Sequence, residues 1–308
     1  MLRGTVAGST MVAMNPALQR LFEAQSGVAT SGQILAVASR YEFEAVLKTQ
    51  HLERLWHGVY VLGEPTDDAR LRGLDLLCGT PVPVCLSTAA ALFGFDTEQP
   101  ADLHVLNPPG HQLRNTDGLV VHRREGAPLV LVDGRPATAP DWTAIEVARA
   151  LWRPRALATL DAALRSGTCT LTELCRAATQ QRGRRGIVAV RDLLALADAR
   201  AESPMESEAR LVMIDGGLPH PELQYEIVDG NGELRRLDFA WPEFRVAVEY
   251  DGVDWHNDPE AVRNDRRRRL ALQDVGWTVI SITFEDVRRR AWDFVARVRR
   301  ELNEAQAA

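Results

Sequence analysis

Two apolar runs joined by a two-residue turn constrain this chain most. Leu234-Arg235-Arg236-Leu237-Asp238-Phe239-Ala240-Trp241 and Phe244-Arg245-Val246-Ala247-Val248-Glu249 both read as β-strands. Pro242-Glu243 between them is short enough to make a hairpin. Adjacent antiparallel strands then place Asp238 and Glu249 side by side at one end of a sheet. A carboxylate between Leu237 and Phe239 costs desolvation unless it is paired or liganded. Two such groups and a nearby backbone carbonyl suit Mg²⁺ (or Mn²⁺), and a divalent ion there can activate water against a phosphodiester. The competing reading for Asp238 is a plain ion pair with Arg235 or Arg236.

The flanking pattern extends this core. Ser203 to Asp215 has helical apolar spacing and stops at Gly216-Gly217. Leu223 to Val228 reads as a strand, and Asp229-Gly230-Asn231-Gly232 as a hairpin turn. A helix starting at Asp258-Pro259 carries Arg263 and the run Arg266 to Arg269, and Gly276 stops it. Trp277 to Thr283 reads as a strand and Phe284 to Asn303 as a last helix. Glu206 follows Ser203 by three residues, which is a capping box as well as a candidate ligand position. Consecutive arginines on a helix are about 100° apart, so some can clamp phosphate while others pair with carboxylates.

This α-β-β-β-α-β-α order resembles the core of PD-(D/E)XK nucleases. Residues 203–301 are most similar to the branch related to very-short-patch repair (Vsr) endonucleases, through Asp238-Phe239, Glu249-Tyr250-Asp251-Gly252 and His256. The resemblance implies a three-layer α/β restriction-endonuclease-like domain, Mg²⁺ and a nucleic-acid substrate. It also implies roles. Glu206 is the acid of the first helix, and Asp238, Glu249 and the Tyr250 carbonyl hold the metal. His256 is the general base, oriented by Asp251. The chain departs from the pattern in one place: Asp251 stands where the family carries lysine. Either His256 or an arginine supplies that charge, or the site does not cleave.

The N-terminal part follows a different pattern. Asn15 to Ala24, Ser31 to Ala38 and Tyr41 to Gln50 read as helices, with Thr30 or Ser31 capping the second. Leu52 to Trp56 and Val59 to Leu62 flank His57-Gly58 as a β-hairpin. Three helices and a hairpin form the winged-helix order, in which the third helix can enter the major groove. With Gly58-Val59-Tyr60 and Leu86-Ser87-Thr88-Ala89-Ala90-Ala91-Leu92-Phe93-Gly94, residues 15–180 resemble AbiEi-type antitoxins. That implies DNA binding, repression of the protein's own promoter and a toxin partner. Lys48, Gln50 and Arg54 are the plausible phosphate or base contacts. Glu42 and Glu44 on the same helix repel phosphate, so protein contact is the competing use.

Composition limits these readings. Net charge is −6, so no global basic footprint exists and any DNA contact, including Arg263 and Arg267, must be local. Lys48 is the single lysine among 36 basic residues, so arginine abundance is itself weak functional evidence. Cys78, Cys85, Cys169 and Cys175 show no zinc spacing and are expected as buried thiols in a reducing compartment. No apolar run reaches membrane-spanning length, and a cytoplasmic location is expected. The chain reads as α/β and multidomain: a winged helix over 1–69, an α+β middle domain over 70–186, and the nuclease-like domain over 187–308. Two function classes stay open, a Mg²⁺-dependent endonuclease and a non-cleaving, antitoxin-like DNA-binding regulator. Oligomeric state is not legible.

Overall fold

The computed structural model describes residues 14–48, 52–95, 97–98, 101–123, 126–252 and 259–307. They fall into two compact units, one within Met1–Val84 and Ala101–Ala137, the other within Cys85–Pro100 and Thr138–Ala308. The segment 70–186 is therefore shared between both units.

In the first unit, Asn15 caps α1 (Pro16–Ala24) by accepting the Ala17 N–H at 2.9 Å. β1 (Val28–Thr30) follows, and Thr30 with Gln33 forms a capping box for α2 (Ser31–Val37). α3 (Arg40–Lys48) precedes β2 (Leu52–Trp56) and β3 (Val59–Leu62), which turn at Gly58 with φ 73°. The sheet order is β1-β3-β2, all antiparallel. The short β1 has no sequence periodicity of its own; it forms because its backbone completes the edge of β3. Leu18, Phe22, Ile34, Phe43 and Val46 close the core beneath this sheet. α4 (Asp67–Cys78) packs on it through Trp56, whose indole N–H donates to the Arg70 carbonyl at 2.8 Å.

α5 (Leu86–Leu92) belongs to the second unit. The chain then returns to the first unit with β4 (Leu103–Leu106) parallel to β5 (Leu119–His122). A two-stranded ribbon, β6 (Leu129–Val132) and β7 (Arg135–Thr138), follows.

The second unit opens with four helices, α6 (Pro140–Ala148), α7 (Arg153–Arg165), α8 (Leu171–Gln180) and α9 (Ile187–Leu194). Ile145, Leu157, Leu160, Leu174 and Val190 form their shared core. α10 (Pro204–Asp215) leads into β8 (Glu222–Val228), β9 (Leu234–Trp241) and β10 (Val246–Tyr250). α11 (Pro259–Asp274), β11 (Thr278–Ile282), α12 (Phe284–Arg288) and α13 (Ala291–Ala307) complete it. The sheet order is β11-β10-β9-β8, with β10–β11 parallel and the other pairs antiparallel. Met213 of α10 and Phe294 and Val298 of α13 pack on one face with Phe239, Trp241 and Val248. Leu272 of α11 packs on the other face against Leu237, Ala240 and Ala247. Helix, sheet and helix thus make three layers.

α10 also closes against α7 through charge. Arg210 donates to buried Asp161 at 2.6 Å, and Arg153 bonds both oxygens of Asp215 at 3.0 Å. The helix carrying Glu206 is therefore fixed from two sides.

Three expectations need correction. The last helix is two, because Thr283 and Asp286 cap the short α12 and the chain turns at Arg289 before α13. The hairpin turn takes residues 242–245 rather than two residues, because the second strand starts at Val246 and not at Phe244. Cys78, Cys85 and Cys169 are buried, but Cys175 is exposed on α8.

Candidate functional site

The register of β9 and β10 pairs Val248 with Phe239, so Glu249 follows opposite Asp238. The strands are irregular at this point. Leu237 packs on the α11 face and Phe239 on the α10–α13 face, although residues two apart on a regular strand share a side. The alternation breaks at Asp238, and Gln224 on the neighbouring β8 takes a left-handed φ of 54°. Departures of this kind re-aim side chains beside functional sites.

Among the described residues Asp238 has no salt bridge. Arg235 goes to Asp229 and Glu233, and Arg236 goes to Glu202 at 2.6 Å. Among the described residues the one hydrogen bond of Asp238 comes from the Tyr250 N–H, at 2.9 Å to Oδ2. Burial pushes its carboxyl above the ordinary range, against the pull of that N–H and of Arg268.

Glu206 sits in the first turn of α10, where Ser203 caps its N–H at 3.1 Å. Its carboxylate does more than close a capping box: Oε2 accepts from the Glu202 N–H at 2.9 Å and from Gln224 Nε2 at 3.0 Å. Burial raises its pKa, and Asp238 raises it further. Glu249 is 6% exposed and accepts from Arg268 Nη2 at 2.5 Å. Burial lifts its carboxyl to about 7, with Asp238 and Asp251 adding and Arg268 and Arg269 opposing. Asp238 thus acts electrostatically on both Glu206 and Glu249.

The other anticipated residues stand as follows. Asp251 pairs with Arg269 at 3.3 Å. Arg263 and Arg267 are exposed on α11. Lys48 is exposed at the end of α3, and Arg54 is exposed on β2 with its Nε donating to the Trp56 carbonyl at 3.2 Å. Gln50 and His256 lie outside the described residues. Sequence reasoning missed Arg268 as the partner of Glu249 and Gln224 as the partner of Glu206; both contacts depend on tertiary packing.

Three carboxylates from a helix and two strands are donor chemistry for a hard divalent cation. Glu206 Oε1, Asp238 Oδ1 and Glu249 Oε2 accept no hydrogen bond from the described residues. The upward pressure of burial and of Asp238 on Glu206 and Glu249 is of the kind a bound cation would relieve. No three His, Cys, Asp or Glu side chains among the described residues stand together at metal-ligand spacing. Carboxylate oxygens are of the right chemical class for such an ion, but among the described residues they are not gathered into a ligand set.

Comparison with known proteins adds the family. Residues 82–196 match the AbiEi antitoxin C-terminal domain. Uncharacterized proteins MT2308 and Rv2248, from two strains of Mycobacterium tuberculosis, are each 53% identical over 270 residues. The match spans 88% of this chain and 99% of each relative. The chain belongs to their family. These relatives align with most of this chain, and the chain's middle region is AbiEi-antitoxin-like, as the Leu86 to Gly94 stretch implied. The likeness of residues 1–69 to a winged helix and of residues 203–301 to Vsr endonucleases lies outside the matched domain. No described helix is long and apolar enough to cross a membrane.

Proposed function

We propose that the protein is a DNA-binding protein of antitoxin type whose second unit hydrolyses phosphodiesters with a divalent cation. The observation that carries the hydrolytic part is that Glu206, Asp238 and Glu249 stand on α10, β9 and β10 with carboxyls raised by burial, Asp238 raising both of the others. Asp238 and Glu249 are the residues that would hold Mg²⁺ or Mn²⁺, with the Tyr250 carbonyl beside them and Glu206 behind. When bound, such an ion supplies Lewis-acid polarisation of a phosphate ester and activation of water. Arg268 keeps Glu249 from losing its charge altogether and takes the place of the absent lysine as the nearest cation. His256 moves the proton, with Asp251 orienting it. Arg263 and Arg267 on α11 contact phosphate.

DNA binding rests on the first unit. The order α1-β1-α2-α3-β2-β3 with sheet β1-β3-β2 supports a winged helix, and the AbiEi-like match supports an antitoxin-type regulator with a toxin partner. Lys48, Gln50 and Arg54 are its contacts. That same match favours a second reading, a regulator that never cleaves.

Nicking of supercoiled plasmid separates the two. The first reading predicts Mg²⁺- or Mn²⁺-dependent nicking that Asp238→Ala abolishes. The second predicts no nicking with either ion, and a promoter-fragment shift lost when Lys48 and Arg54 are both changed to alanine.

A further inference from the structure

We propose that the cleft lined by Leu113, Arg114, Asn115, Val121, His122 and Arg123 in the first unit binds a phosphate group. The cleft is open and about 600 Å³ in volume. It lies between β5 and the loop that joins β4 to it. That loop is built rather than loose. Asn107 Oδ1 accepts the Leu113 N–H at 2.9 Å, and the Asn107 amide donates to the His111 and Pro108 carbonyls at 2.5 and 3.2 Å. Asn115 Oδ1 accepts the Val121 N–H at 2.8 Å, which ties the loop to the strand. His122 forms one wall, held by His104 on the parallel strand. Their facing ring nitrogens are 2.9 Å apart and the rings stack at 5.2 Å.

The polar lining is donor-rich. Arg114 and Arg123 are exposed and make no ion pair among the described residues. Elsewhere in the same unit Arg70, Arg72 and Arg135 are each paired with an aspartate, whereas Arg20, Arg40 and Arg54 also make no ion pair among the described residues. Asn115 Nδ2 donates to no described residue. Among the described residues no carboxylate lines the cleft. Two guanidinium forks and an amide N–H on a fixed loop match the several acceptor oxygens of a phosphate. The shared chemistry is a phosphate; its source is either the backbone of duplex DNA or a free nucleotide. The assignment does not depend on the carboxylate group of the second unit or on a winged helix.

The test uses the full chain and pyrophosphate as probe, read by calorimetry. Wild type should bind, and Arg114→Gln with Arg123→Gln should weaken binding at least about tenfold. Arg114→Lys with Arg123→Lys should restore only part of it, the share due to charge without the fork, and unchanged melting temperatures show that the variants fold. A short duplex and ADP then identify the source. If duplex DNA is the ligand, the Gln variant lowers the slope of log affinity against log salt by about 2. If a nucleotide is the ligand, ADP affinity falls and duplex binding does not change. Pyrophosphate that fails to bind wild type, or binds the Gln variant equally well, overturns the proposal, whatever the plasmid and promoter assays show.

Discussion

Glu249→Gln should flatten the pH dependence of stability across the neutral range. In the folded chain Glu249 ionises at about 7, against an ordinary value of 4.5. The folded state therefore holds an extra proton between those two values. Stability contributed by that proton is fully present below about pH 4.5 and is lost as pH rises through about 7. Each pH unit is worth about 1.4 kcal/mol, so ionising this buried side chain costs about 3 kcal/mol in all. Glutamine keeps an acceptor for Arg268 but cannot ionise. Urea unfolding in EDTA, for wild type and variant, measures the effect at about pH 4.5 and again at about pH 8. Wild type should lose about 3 kcal/mol more than the variant over that interval. Parallel losses would refute the reasoning, because they would mean Glu249 ionises alike in the folded and unfolded chains.

Three further outcomes are expected. Arg268→Met removes the main cation opposing the rise at Glu249, so the carboxyl resonance of Glu249 in ¹³C NMR should titrate above about 7, and an unchanged midpoint would contradict the pairing. Arg210→Ala leaves Asp161 buried and without its cation, which should cost about 3–5 kcal/mol in urea unfolding; a loss below about 1 kcal/mol would count against α10 being locked to α7. Gly186→Ala should lower the melting temperature more than Gly183→Ala. Both glycines have φ 84°, but only at Gly186 does an added Cβ meet a backbone oxygen, that of Arg149, at 2.3 Å.

Elements with their own periodicity were legible in the sequence. Leu234–Trp241 and Val246–Tyr250 formed the expected hairpin, because their apolar residues leave few other pairings, although the turn spans residues 242–245 rather than two residues. Thr30 and Ser203 marked their helix starts for a local reason: their side chains satisfy N–H groups three residues on. What stayed hidden depends on distant contacts. β1 exists only as an edge to β3. No local signal says that Leu86–Leu92 belongs to the second unit while Leu103–Leu106 belongs to the first. The side switch between Leu237 and Phe239 breaks the period on which strand reading depends. Of four consecutive arginines, only packing of α11 on the sheet decides that Arg268 reaches Glu249 and Arg269 reaches Asp251.

Direct cation binding tests the central claim most simply. Mn²⁺ titrated into the metal-free protein at about pH 8 can be followed by loss of the free-ion electron paramagnetic resonance signal. The three carboxylates predict a saturable site in wild type that Asp238→Asn removes and Glu249→Gln weakens. Mn²⁺ that ignores the wild-type chain, or binds both variants as tightly as wild type, would contradict the account.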